Sequence, residues 1–113
     1  MHELSLVKSI IETLEQDSRS RGIKKITRLH IVAGELASVN QRALEFALEN
    51  VVKGTIIEQT QIDFSVREAW ENCPDCEKEF KPKPPFYQCP GCSKAIFPGA
   101  ENRSVYIDFY EGE

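Results

Sequence analysis

Residues 73–92 read CPDCEKEFKPKPPFYQCPGC and contain all four cysteines of the 113-residue chain, as two Cys-x-x-Cys pairs separated by twelve residues. Two cysteines three positions apart on a tight turn can both bind one ion at about 2.3 Å, and two such turns complete a tetrahedron. The separation of the pairs is slightly shorter than in most zinc ribbons. The pattern predicts a closed, structural zinc site. Its ligands would be Cys73, Cys76, Cys89 and Cys92.

Three other chemistries could use the same two pairs: rubredoxin-like iron, a redox dithiol and a disulfide pair. Four thiolates suit iron as well as zinc, so metal analysis is needed to separate these two ions. A thioredoxin-like dithiol stands at the start of a helix beside a βαβ unit, and neither pair does. Disulfides are disfavoured in the cytosol, which keeps thiols reduced. Structural zinc is therefore the favoured interpretation.

The composition around the cysteines indicates a small separate module. Residues 72–98 hold all six prolines of the chain, and the Pro-Lys-Pro-Pro run at 82–85 cannot form regular helix or a central strand. A segment this short cannot make a large core of its own. Zinc binding worth about 10 to 16 kcal/mol can fold such a segment, which agrees with a metal-dependent module.

Two amphipathic helices are predicted upstream of the module. The first runs from Glu3 to about Ser20, and Gly22 follows it where a C-terminal glycine is common. The second is predicted to start at a capping box of Ser38 and Gln41 and to end before Gly54. Each helix has apolar residues at three- and four-residue steps, which places them on one face. The faces comprise Leu4, Val7, Ile10, Ile11 and Leu14 in the first helix, and Leu44, Ala47, Leu48 and Val51 in the second.

Three strands are predicted from the alternation of apolar and polar residues. They cover residues 26–33, the stretch from 56 to 68, and residues 105–110. The last strand needs a sheet to join, and its expected host is the sheet begun before the cysteine module. In this strand one face would carry Val105, Ile107 and Phe109, and the other Tyr106, Asp108 and Tyr110.

The order of these elements predicts an α+β fold, with two helices packed on a small three-stranded sheet and an inserted zinc-ribbon-like module. The insertion divides the chain into two predicted domains. Residues 1–69 plus 103–113 would form an α+β base, and residues 70–102 would form the four-cysteine zinc-binding module. No internal repeat or low-complexity tail is present.

Composition and charge argue against several classes of protein. The formal net charge of −4 is unlike that of a protein whose main partner is a phosphate backbone, because such binding needs clustered Lys and Arg. The first sixteen residues lack the parts of a secretory signal, and no stretch approaches the roughly 18 apolar residues of a membrane span. We therefore expect a cytoplasmic protein.

Enzymatic activity is also not expected. Four cysteine ligands would leave no open position for a zinc hydrolase, and no nucleotide-binding G-x-x-x-x-G-K-S/T segment occurs. The main alternative is a zinc-ribbon module that binds protein or nucleic acid. The lysines of the module are offset by its carboxylates, so the positive field of a nucleic-acid binder is not expected.

The two histidines have different prospects as metal ligands. His30 lies within a predicted strand, with no Cys, His or Asp pair near it in sequence, and is interpreted as a surface or hydrogen-bonded histidine. His2 follows the free α-amine of Met1. An amine, two deprotonated backbone amides and an imidazole could enclose Ni(II) or Cu(II) in a plane, but a solvent-exposed terminus is the alternative. The residues alone permit this site without requiring it.

Several segments together resemble the HypA family of nickel-incorporation proteins, called HybF in a paralogue. Each segment is weak by itself, but their order and spacing are specific, and the resemblance spans essentially the whole chain. No histidine stands beside either cysteine pair, whereas some family members have one there. The matching segments are Met1–Leu4, Ile31–Leu36, Leu44–Ala47, Lys53–Thr55 and the two Cys-Pro-x-Cys knuckles.

The resemblance implies a metallochaperone that inserts nickel into nickel–iron hydrogenase, and some family members also serve urease. By this analogy Ni(II) is a transferable cargo, held in the base by His2, the backbone amine of Met1 and Glu3, while Zn(II) at the four cysteines is structural. The implied partners are a HypB-type GTPase, the hydrogenase large subunit precursor and urease maturation proteins. Neither a nucleic-acid partner nor membrane insertion is expected.

Overall fold

The computed structural model describes residues 3–113, so Met1 and His2 lie outside the described residues. It confirms the predicted α+β class, with two long helices, a three-stranded sheet and a small cysteine module. None of the helices within residues 3–113 is long and apolar enough to cross a membrane. In chain order the elements are α1 (Glu3–Ser20), β1 (Ile26–Gly34), α2 (Gln41–Val51), β2 (Gln61–Arg67), β3 (Glu71–Asn72), β4 (Glu79–Phe80), α3 (Ala100–Arg103) and β5 (Val105–Gly112).

The main sheet has the strand order β2-β1-β5, so β1 is central. β1 pairs in parallel with β2, and α2 forms the crossover between these two strands. β5 returns from the cysteine module and pairs antiparallel with β1. The expected host of the last strand is therefore confirmed, and the cysteine module interrupts the base between β2 and β5.

The hydrophobic core of the base lies between one face of this sheet and the two long helices. The predicted helix faces form it, with one exception. Leu4 lies in the first turn of α1, beyond the core, and is 49% exposed. The buried members of the core are Val7, Ile10, Ile11, Leu14, Ile26, Leu29, Ile31, Leu44, Leu48, Val52 and Ile57.

Two predicted element starts were wrong. α2 is capped by Asn40, whose side chain accepts a hydrogen bond from Ala43 N at 3.0 Å, rather than by Ser38. Asn caps a helix at least as well as Ser, and here it directly precedes the first helical residue. β2 starts at Gln61, because the preceding residues form turns that place Ile57 in the core.

The predicted alternation of the last strand fails at a bulge. His30 pairs with Phe109 and Ile31 with Ile107, so Asp108 is an extra residue that reverses the facing of those after it. Phe109 consequently lies on the open face of the sheet, with its ring 5.4 Å from that of His30. Tyr110 instead packs against the core, and its hydroxyl donates a hydrogen bond to Asp17.

Candidate metal centre

The two cysteine pairs lie on turns with the same backbone hydrogen bonds. In the first knuckle Cys73 N donates to Lys78 O at 3.0 Å, and Glu77 N donates to Cys73 O at 2.9 Å. Glu77 and Ser93 occupy equivalent positions and both have positive φ, 60° and 63°. The repeated geometry presents two sulfurs from each turn to one centre. The equivalent bonds of the second knuckle run from Cys89 N to Lys94 O and from Ser93 N to Cys89 O.

The four sulfurs have a separation that fits one tetrahedral ion. All four Sγ atoms lie within 4.8 Å of one another. The Cys73–Cys92 and Cys76–Cys89 Sγ distances are both 3.5 Å, whereas ligands with 2.3 Å bonds at tetrahedral angles stand about 3.8 Å apart. Both short distances join one knuckle to the other, so a single ion would connect the two turns.

The environment of the sulfurs favours a cation. Burial raises the pKa of Cys89, but the N–H groups of Cys92 and Gly91 and the neighbouring thiols of Cys76 and Cys73 together lower the pKa to about 6. Backbone N–H groups also lower the pKa of Cys73. The Lys94 N–H lowers the pKa of Cys92, yet its neighbouring thiols and burial raise it to about 11. The two buried thiols are therefore more acidic than the two exposed ones, and a divalent ion would let all four ionise.

The module joins the base through the turn after β1. The Glu35 carboxylate accepts hydrogen bonds from Ala69 N at 2.9 Å and from Lys81 Nζ at 3.0 Å. These two donors, the Ala69 N–H first, lower the pKa of Glu35. Gly34 N donates to Ser104 O at 2.9 Å. A Cβ at Gly34 would lie 2.5 Å from the backbone of α3, so this close approach requires glycine.

A buried amide completes the junction. Asn102 is 2% exposed, and its Nδ2 donates to Glu71 Oε1 at 2.9 Å and to Trp70 O at 3.2 Å. The same Glu71 oxygen accepts a hydrogen bond from Gly99 N. The residues of this junction were not predicted as a group. The nearest signal in the sequence is the Gly-Glu-Leu turn at residues 34–36, which does not indicate contacts with residues more than thirty positions away.

Of the three predicted nickel ligands, the structure describes Glu3. Met1 and His2 lie outside the described residues. Glu3 is the first residue of α1, and its Oε1 accepts a hydrogen bond from Asn40 N at 3.2 Å. Because Asn40 caps α2, this contact links the first turns of the two helices. The structure therefore places Glu3 next to the N-terminus of α2.

The second histidine belongs to a polar chain across the three strands of the main sheet. Asp108 accepts a hydrogen bond from His30 Nδ1 at 2.9 Å, and His30 Nε2 is hydrogen-bonded to Ser65 Oγ at 2.9 Å. The sequence of contacts, serine to histidine to aspartate, is the one found in a serine hydrolase triad. The chain lies on the open face of the sheet, where it joins β2, β1 and β5. The interpretation of His30 as a hydrogen-bonded histidine agrees with these contacts.

Comparisons with known proteins agree with each other. The family model described as "Hydrogenase/urease nickel incorporation, metallochaperone, hypA" matches residues 1–111. A protein of Moorella thermoacetica named Hydrogenase maturation factor HypA is 37% identical over 114 residues, which cover 100% of both chains. A protein of Thermococcus sibiricus with the same name is 32% identical over 95% of this chain and 93% of its own.

The fold also matches solved structures. The solution structure of the Ni metallochaperone HypA from Helicobacter pylori superposes with a TM-score of 0.76, covering 99% of this chain and 97% of that one. Sequence identity in this pair is 23%, so the likeness concerns the fold alone. A second solution structure, of a HypA protein, gives a TM-score of 0.73 at 24% identity over 100% of this chain and 97% of that one.

Proposed function

Because this chain belongs to the HypA family of hydrogenase/urease nickel-incorporation metallochaperones, we propose that it binds Ni(II) and delivers it during the maturation of nickel–iron hydrogenase. The observation that carries the proposal is the family match over residues 1–111, and the end-to-end alignment with named hydrogenase maturation factors supports it. The same carrier activity would serve urease in cells that make that enzyme. The protein acts as a metal carrier and not as an enzyme.

In this proposal the cysteine module, residues 70–102, holds Zn(II) permanently. The mutual distances of the four sulfurs and the lowered pKa of the two buried thiols support a bound divalent ion. Zinc supplies a crosslink between the two knuckles, with no open position for a reacting molecule. The ligands are Cys73, Cys76, Cys89 and Cys92.

The nickel site lies in the base, residues 1–69 plus 103–113, at its N-terminus. The His2 imidazole and the Met1 backbone amine would bind the ion, and Glu3 would assist, since nitrogen donors in a plane suit Ni(II). The hydrogen bond from Asn40 N to Glu3 fixes the turn that leads into the site. Ligands at a chain terminus can detach one at a time, which favours transfer over permanent binding.

Nickel transfer requires partners, because the chain has no nucleotide-binding loop of its own. We expect a HypB-type GTPase to supply the free energy and the hydrogenase large subunit precursor to receive the ion. Urease maturation proteins would replace that recipient where urease is the client. These steps take place in the cytoplasm and involve neither nucleic acid nor membrane insertion.

Delivery is tested in cells that lack their own HypA-family protein and express this chain with its native N-terminus. At limiting nickel, His2→Ala is expected to lower both hydrogenase activity and nickel in the large subunit, while the zinc content of the carrier is unchanged. His30→Gln is the matched control, because it removes the other of the two histidines. Full activity of His2→Ala at limiting nickel would contradict the proposed nickel site.

A further inference from the structure

Three large aromatic side chains of the cysteine module are exposed to solvent. Trp70, Phe86 and Phe97 are 46%, 75% and 76% exposed, whereas Phe80 is buried against the cysteines. Grouped apolar side chains at a protein surface mark sites of interaction. Tryptophan and other aromatic residues are also enriched among those that contribute most to binding.

Two of these three side chains line one groove, here called the aromatic groove. Its volume is about 620 Å³, within the usual range of ligand pockets. Most of it is formed by the segment between the two knuckles, and Pro90 of the second knuckle contributes to its wall. Its charged, aromatic and proline walls include Trp70, Lys81, Lys83, Pro85, Phe86 and Tyr87.

The charged side chains that line the aromatic groove are lysines, while the Glu35 and Glu68 carboxylates lie at its edge, hydrogen-bonded to Lys81 and to the Trp70 indole. In the described part of the chain the lining of the groove includes two lysines and no carboxylate, although the formal net charge of the protein is −4. Lys81 is held in place, with Nζ 5.6 Å from the centre of the Trp70 ring and 3.0 Å from Glu35 Oε1. Lys83 is exposed at the rim. Carboxylates of a bound molecule would meet Lys83 first.

A second groove, between α2 and β2, has the opposite character. Its lining includes Glu45, Glu49, Glu58 and Asp63 and, within residues 3–113, no lysine or arginine. Its apolar floor is formed by side chains that already belong to the core, such as Leu48 and Ile57. Of these two grooves, the aromatic groove combines exposed aromatic rings with an exposed lysine, Lys83, so an acidic occupant is favoured there.

We propose that the aromatic groove binds an extended, acidic, proline-containing segment of a partner protein. The aromatic side chains in the walls suit an extended segment that contains proline. Proline-rich ligands already have an extended conformation before they bind, and they dock into aromatic-lined grooves. Trp70 and Phe86 contact the prolines and aliphatic residues of the segment, and Lys83 pairs with its carboxylates. This binding is independent of nickel at the N-terminus and goes beyond the proposed carrier activity.

The test uses the single tryptophan of the chain, Trp70, as a reporter inside the groove. The probe is a synthetic twelve-residue peptide, three repeats of Glu-Pro-Glu-Leu, titrated into the zinc-loaded full chain. Trp70 fluorescence and its indole N–H signal are followed by spectrofluorimetry and NMR. We expect saturable shifts at Trp70 and at the backbone of residues 83–88. The same peptide with lysine in place of glutamate is expected to leave both regions unchanged.

Matched variants locate the binding. Phe86→Ser is expected to weaken binding of the acidic peptide at least tenfold, and Lys83→Glu several-fold with a weaker salt dependence. Phe97→Ser is the control, because Phe97 is equally exposed but lies outside the groove, beside Arg103. Because Lys83→Glu changes only an exposed side chain, it keeps the test valid if Phe86→Ser fails to fold.

Three results would overturn the proposal. The first is the absence of a Trp70 shift at several millimolar acidic peptide. The second is equal binding of the lysine peptide, which would indicate apolar contact without charge selection. The third is an equal loss of binding in Phe97→Ser and Phe86→Ser, which would place the peptide elsewhere on the module.

Discussion

The base and the cysteine module are stabilised in different ways. The base buries a continuous set of aliphatic side chains between two helices and a sheet, whereas the buried cluster of the module is limited to Cys73, Phe80 and Cys89, with Ile96 beside them. Burial of apolar surface scales with the number of such residues, so the base has the means to fold by itself. We therefore expect the module to depend on a metal ion that links its two knuckles.

The largest expected effect comes from removing that link. Cys73→Ser, or extraction of zinc by a strong chelator, should unfold the module, because metal binding supplies about 10 to 16 kcal/mol in comparable small sites. NMR would then show collapsed signals for the module and dispersed signals for α1, α2 and the main sheet. Loss of the signals of the base as well would show that the two regions do not differ in this way.

A substitution in the core of the base should destabilise the base while the cysteine module keeps its metal. Leu29 is fully buried at the centre of β1, and Leu29→Ala should cost the base about 2 to 5 kcal/mol through lost contacts and a residual cavity. Urea denaturation followed by far-UV circular dichroism measures this loss, and the zinc content should remain one ion per chain. A variant that lost zinc while its base stayed folded would contradict the comparison.

A change at the junction should affect the two regions together. The added methyl group of Gly34→Ala would lie 2.5 Å from the backbone of Asn102, so β1 or α3 must shift. Overpacking of this kind costs about 1 to 3 kcal/mol. Thermal unfolding should show a lower midpoint, and amide exchange should increase on both sides of the junction. Gly54→Ala is the comparison variant. Gly54 has a positive φ, and within residues 3–113 no heavy atom apart from its chain neighbours lies within 4 Å of the added group. This variant therefore measures backbone strain without steric overlap, whereas Gly34→Ala measures steric overlap.

The smallest expected effect is a pH dependence of the junction. The Ala69 N–H and Lys81 hold the pKa of Glu35 below its ordinary value of 4.5. Because the pKa of Glu35 is lower in the folded state, its ionised carboxylate adds to the free energy of unfolding. This stabilisation is fully present above pH 4.5 and is lost as the pH falls through the lowered pKa. Trp70 fluorescence should therefore change in this acidic range. Glu35→Gln should remove that step, and an unchanged acid transition in Glu35→Gln would assign the step to another group.

Patterns local in sequence were sufficient for much of the architecture. Helical periodicity placed α1, strand composition placed β1, and the Cys-x-x-Cys spacing singled out the four sulfurs that the structure brings together. The two elements and each cysteine pair depend on residues close together in sequence, and the two pairs are separated by only twelve residues. The predicted domain boundaries and metal ligands remain predictions, because four close sulfurs do not identify the ion they bind and His2 is outside the described residues.

Features set by distant residues were missed or wrong. The bulge at Asp108 depends on how β5 pairs with β1, and a one-residue shift reverses the facing of Phe109 and Tyr110. Nothing near Asn102 in sequence indicated that its amide would be buried against Glu71. The cap at Asn40 was missed for a different reason, since Ser38 and Asn40 are both good capping residues and local chemistry does not choose between them.

Calorimetric titration of nickel into tag-free, zinc-loaded protein with its native Met1 is the decisive experiment for the proposed carrier. We expect one nickel site per chain, lost in His2→Ala and retained in His30→Gln, with one zinc ion present in all three proteins. Equal nickel binding by His2→Ala and the unmodified protein would contradict this proposal, because the cargo would then bind away from the N-terminus.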